Sequence, residues 1–191
     1  MSLNEFVLAF VGVVIGLGVG DLLTSLHKLL RAGARVKWDW LTIAYAAMML
    51  YALIVFWWWQ FGYPRTETLT VAAFLLDFVF LAISFLMVAS ALPDDVPAEG
   101  IDLRAFYIAS MRHRWSLVTL SLGLNVALMI KDSGVSGNWG AWGDWRSMLP
   151  IVSAILAALA IRVRAIWFQS LAIGWIIAVT SYFNLFRTIG P

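Results

Sequence analysis

The chain has no cysteine, which removes disulfides, thiol chemistry and Cys-ligated metal or iron–sulfur sites. It has little charge: 13% of its 191 residues are Asp, Glu, Lys or Arg, against about 25% in an ordinary soluble domain. No polar stretch is long enough to form a soluble domain. There is no Gly-rich phosphate loop, no nucleophile elbow and no paired metal motif. No run shows the repeated arginine spacing of a voltage sensor. With two histidines, a three-histidine hydrolase site would need carboxylates to complete it. The sequence therefore names no catalytic residue, no metal and no cofactor, and an enzyme is the less favoured reading.

What is abundant is apolar. Hydrophobic residues make up 62% of the chain, and the mean hydropathy is +0.87. A water-soluble fold of this size cannot hide that much apolar surface. The composition predicts an all-α, polytopic transmembrane bundle forming one integral membrane domain over 1–191. A transmembrane barrel is disfavoured, because its strands alternate apolar and polar residues and these runs are apolar on all sides. The net charge of +2 does not point to nucleic acid, since Lys and Arg gather at the ends of the apolar runs. The N-terminal run "MSLNEFVLAFVGVVIGLGVGDLL" has no basic leader or clear cleavage site, so it reads as a first span rather than a secretory signal.

Crossing hydrocarbon takes about 20 apolar residues in a helix. The runs predict six spans at roughly 4–25, 39–62, 68–92, 108–130, 147–162 and 165–187. The fifth is the weak one. Its charge-free core, Ser147 to Ile161, amounts to about 22 Å of helix. A short, tilted or re-entrant fifth segment is the alternative to six full spans. "LAISFLMVAS" (81–90) and "LAIGWIIAVTS" (171–181) resemble one another in the third and sixth spans, as a three-plus-three inverted repeat would require.

Orientation follows from the basic residues. Nine fall in the first, third and fifth connections: Lys28, Arg31, Arg35, Lys37, Arg104, Arg112, Arg114, Arg162 and Arg164. Four fall on the other side: Arg65, Lys131, Arg146 and Arg187. That bias puts the odd connections in the cytoplasm and the N-terminus outward, in a bacterial inner membrane. Trp38, Trp40, Trp115 and Trp167 then fall at the inner interface. Trp57, Trp58, Trp59, Trp139, Trp142 and Trp145 fall at the outer one, as anchors or partner contacts. Three consecutive tryptophans point three ways around a helix, so at least one should meet protein or pigment. Trp175, mid-span, reads as packing.

Few residues could carry chemistry. Asp77 is alone among charged side chains between Thr68 and Ala91. Placing a charged Asp at mid-span costs roughly 2.5–3.5 kcal/mol, so it should face other helices, paired or protonated. It is the candidate proton or ion relay, with Asn125 and Asp21 as further members. Ser121, Thr180, Ser181 and Asn184 are other hydrogen-bond partners it could use. Gly12, Gly16 and Gly20 form a smooth stripe for helix packing, with packing inside the chain preferred to packing between copies. Residues 22–31 read as an amphipathic continuation of the first span, leaving the membrane to lie at its surface. His27 and His113 could serve as axial ligands of a b-type haem, although both stand in basic interfacial settings. The run 93–115 mixes Asp94, Asp95, Glu99 and Asp102 with Arg104, Arg112 and Arg114, and reads as a solvated loop with loose ion pairs.

Two functions remain. One is a non-catalytic accessory or scaffold subunit that packs against other membrane proteins or pigments. The other is a small channel or carrier for protons, monovalent ions or a small apolar solute, built around Asp77. The partners expected are the lipid bilayer and other membrane subunits or further copies, with no nucleic acid.

Overall fold

A computed structural model describes residues 3–61, 71–137 and 144–184. Within them the chain is helical almost throughout. Six α-helices follow in order: α1 (Leu3–Ala32), α2 (Trp40–Phe61), α3 (Val71–Ala89), α4 (Leu103–Ser136), α5 (Met148–Ala160) and α6 (Ile166–Asn184). Two short strands, β1 (Val36–Lys37) and β2 (Ile101–Asp102), pair in parallel with Val36 opposite Ile101. Three helices are long and apolar enough to cross a membrane: Glu5–Arg35, Trp40–Gln60 and Ile166–Asn184. Shorter apolar helices cover Phe74–Ala89 and Trp145–Ala160.

Local chemistry sets the helix ends. The Asp39 carboxylate accepts from Thr42 N–H at 3.2 Å and caps α2. The Asp102 carboxylate accepts from Arg104 N–H and Ala105 N–H at 3.0 and 3.1 Å, capping α4. At its other end α4 stops at Gly137, which adopts φ +67°, the left-handed turn that glycine supplies without strain. Pro93 follows α3 closely, where a helix could not continue through it. Thr42 Oγ1 donates to the Leu103 carbonyl at 2.8 Å and ties the start of α2 to the start of α4.

The β1–β2 pairing brings the α1–α2 and α3–α4 connections together at one end of the bundle. Gly100 is needed there. Its φ is +93°, and a Cβ on it would run into the Arg35 carbonyl. Lys28 Nζ adds a 2.9 Å ion pair with Asp95 and donates to the Asp94 carbonyl at 2.7 Å. The α5–α6 turn joins the same end, since Arg164 lies beside Ala105 and Arg112 of α4. Between these ends α5 runs antiparallel to α6. The Trp145 and Tyr182 rings meet at 5.8 Å, Trp175 Nε1 donates to Ser153 Oγ at 3.1 Å, and Gln169 reaches Ala160.

The core is concentrated toward the connection end. Buried residues of α2 run from Leu41 to Leu53, those of α4 from Leu103 to Val118, and those of α6 from Gln169 to Ile176. On α1 the buried face is Val7, Val11, Ile15, Gly18, Leu22, Ser25 and Leu29, the spacing of one helical stripe.

Residues 22–31 continue α1, one helix of 30 residues, about 45 Å long, and Leu22 and Leu29 stay in the core. One expectation is corrected here: the run 93–115 is not all loop. From Leu103 onward it is helix, and Arg114 is completely buried.

Candidate functional site

A buried polar cluster lies where α2, α4 and α6 meet, around Arg114 and Gln169. On α4 the buried positions are Leu103, Tyr107, Met111, Arg114, Trp115 and Val118, so Arg114 occupies the apolar stripe of its helix. Its Nε donates to the Ser90 carbonyl at 2.8 Å and its Nη2 to the Ala91 carbonyl at 3.0 Å. Both acceptors follow the last turn of α3, where backbone carbonyls gather partial negative charge. The guanidinium carbon also lies 4.6 Å from the Phe106 ring centre, 5.2 Å from Tyr45 and 5.3 Å from Tyr107. Ring faces are negative, and a desolvated contact of this kind contributes about 2 kcal/mol. Among the described residues Arg114 has no carboxylate partner. A helix end and three aromatic faces hold its charge instead. Tyr45 Oη and Arg114 Nη1 are buried without a hydrogen-bond partner among the described residues.

Gln169, 1% exposed, is the second hub. Its Oε1 accepts from Tyr107 Oη at 2.7 Å and from Trp115 Nε1 at 2.6 Å. Its Nε2 donates to the Ala160 carbonyl at 3.0 Å and to the Val163 carbonyl at 2.6 Å. The α5–α6 turn contains no Gly, Pro or Asn. It breaks because Gln169 satisfies the carbonyls that the end of α5 leaves open.

Just outside this cluster a shallow groove of about 430 Å³ is lined by Ala105, Ile108, Ala109 and Arg112 of α4 and by Arg164 of the turn. All five side chains are exposed.

The residues singled out from the sequence are distributed differently. Asp77 is half-buried on α3, between Phe74 and Phe78, whose rings pack on Phe10 of α1 at 5.9 and 6.3 Å. Asn125 is exposed on α4, and Asp21 is half-buried on α1. Ser181 Oγ pairs with Tyr51 Oη at 3.0 Å, and Asn184 accepts from Trp59 Nε1, so both engage α2. His27 and His113 are exposed on α1 and α4. No group of three or more His, Asp or Glu that could hold a metal occurs among the described residues.

Among the described residues a Cβ on Gly12, Gly16 or Gly20 would meet nothing within 4 Å. The close approach on α1 is at Gly18, where a Cβ would lie 3.4 Å from Leu53 and 3.6 Å from Phe85. Trp115 is fully buried within the bundle. Trp38, Trp40, Trp145 and Trp167 are well exposed, and Trp57, Trp58 and Trp59 are each about two-fifths exposed. Trp139, Trp142, Arg65 and Arg187 lie outside the described residues.

No protein-family model, curated protein or solved structure matches the chain. Its class is set by its own geometry: an all-helical protein with three helices long and apolar enough to cross a membrane, consistent with a membrane location.

Proposed function

We propose that the chain is a non-catalytic accessory or scaffold subunit of a cell-membrane assembly, packing against other membrane proteins or pigments. The observation that carries this reading is where the bundle's buried polar groups are directed. Arg114, Gln169, Tyr107, Trp115 and Thr42 bond to one another or to the chain's own carbonyls. Ser84, Ser110, Thr119 and Ser153 each donate to the carbonyl four residues back. The first set fastens helices together, and the second is spent on the backbone of its own helix. A path for a hydrophilic solute needs polar groups turned toward a shared lumen instead.

In this reading all six helices cross a bacterial inner membrane. The basic connection end faces the cytoplasm, and tryptophans form a belt at each surface. The up-and-down order of the helices and the shared end of the odd connections support that threading. A three-plus-three repeat would relate α3 to α6, which run in opposite directions. The outward glycine stripe of α1 leaves room for a partner's helix to approach closely.

One observation favours the second reading, a small proton or ion carrier: Asp77 is a half-buried carboxylate within an apolar helix. Proton and monovalent-cation flux into vesicles reconstituted with the purified chain separates the two. The scaffold reading predicts flux no greater than in empty vesicles. Flux that vanishes in Asp77→Asn, a variant that keeps the side chain's shape, would install the carrier in its place.

A further inference from the structure

We propose that the groove between α4 and the α5–α6 turn is a binding site for the phosphate of an anionic membrane phospholipid. Ala105, Ile108, Ala109 and Arg112 stand at i, i+3, i+4 and i+7, so they form one stripe along α4. The two alanines keep the floor low, and Ile108 keeps it apolar. Arg112 closes the stripe, and Arg164 stands across from it on the turn. Neither arginine has a carboxylate partner among the described residues. Two guanidiniums that share a groove of about 430 Å³ repel one another, and an anion between them relieves that repulsion. Guanidinium forks match phosphate oxygens in both geometry and charge.

The site is built rather than accidental. Arg164 follows Val163, whose carbonyl is held by buried Gln169, and Gln169 is itself held by Tyr107 and Trp115 of α4. The turn is therefore fastened to the same helix that carries Arg112. The source of the phosphate follows from the threading proposed above, on which this inference rests. The groove lies at the basic end of the bundle, and Ile166 and Trp167 beside it are 37% and 69% exposed. An apolar floor ending in paired basic groups fits a headgroup whose acyl chains continue along the helix.

The test uses the full chain in mild detergent, supplied with dioleoyl phosphatidylglycerol or dioleoyl phosphatidylcholine, and counts retained lipids by native mass spectrometry. The unaltered chain should retain phosphatidylglycerol preferentially. The exposed pair Arg112→Ala with Arg164→Ala should weaken that retention about 30-fold, the worth of roughly two surface arginines. Arg112→Lys with Arg164→Lys should restore part of it. Gln169→Leu, which frees the turn but keeps both charges, should fall between the unaltered chain and the double alanine. Equal retention of the two lipids, unchanged retention in the double alanine variant, or displacement of the lipid by inorganic phosphate alone would each overturn the assignment.

Discussion

The Gln169 side-chain amide donates to the Val163 carbonyl at 2.6 Å, and the same side chain accepts from Trp115 across the helix interface. One residue thus shapes the turn between α5 and α6 and binds that turn to α4. Because Gln169 is buried, it has no water to replace these bonds.

Gln169→Leu should therefore be costly although its volume is similar. It strands the Tyr107 O–H and the Ala160 and Val163 carbonyls, and leaves the Trp115 N–H only its 3.2 Å bond to Tyr107 Oη. Each stranded buried group costs about 1–3 kcal/mol. Thermal unfolding in detergent should show a clear loss of stability. Amide exchange should quicken first at residues 161–165, before the rest of the bundle.

Arg114→Leu removes both donors to the end of α3 and the charge that three rings surround. The loss should be several kcal/mol, at about 1–3 kcal/mol for each stranded carbonyl. Arg114→Lys keeps the charge but reaches one carbonyl at a time, so it should recover only part. Unfolding of both variants, with exchange measured at Ser90 to Leu92, checks the order unaltered, Lys, Leu.

Gly100→Ala should separate the paired connections. The residue sits at φ +93°, and the added Cβ meets the Arg35 backbone, which cannot swing aside as a side chain could. A strained residue of this type costs about 1–3 kcal/mol. Gly33→Ala, also at positive φ (+56°) but with open space around it, should cost less. Protease cleavage within 30–38 and 93–102 should rise in the first variant and change little in the second.

The two kinds of glycine on α1 should part company. Gly18→Leu must displace Leu53 or Phe85 and should destabilise the isolated chain by about 1–3 kcal/mol. A Cβ at Gly16 meets nothing within 4 Å among the described residues, so in Gly16→Leu the isolated chain should unfold as before. If a partner's helix rests on that face, Gly16→Leu should instead lower recovery of the partner. Unfolding of the purified chain beside the mass of the native assembly separates the two effects.

The sequence told most about class and least about the polar centre. Long apolar runs mark helices because nothing else buries so many apolar side chains in succession, and α2 and α6 fall close to the runs predicted for them. The gathering of basic residues at the odd connections matches the end where β1, β2 and Arg164 meet. Arg114 was hidden by its neighbours, since "RHR" reads as a charged surface. Yet Tyr107, Met111, Trp115 and Val118 follow one helical stripe, and that stripe passes through Arg114 while Arg112 and His113 fall off it. Gln169 carried no motif, because its role depends on carbonyls that only the folded turn exposes. The glycine stripe was legible as a smooth face, but not the direction in which it points. That direction is fixed by the competing stripe of Val7, Val11, Ile15 and Leu22.

The most direct test of the scaffold reading is the intact mass of the assembly, purified from native membranes in mild detergent and weighed by native mass spectrometry. The account predicts this chain together with foreign subunits or pigments at fixed stoichiometry. A lone chain or a simple homo-oligomer, with no other component at any detergent concentration that preserves the fold, would contradict it.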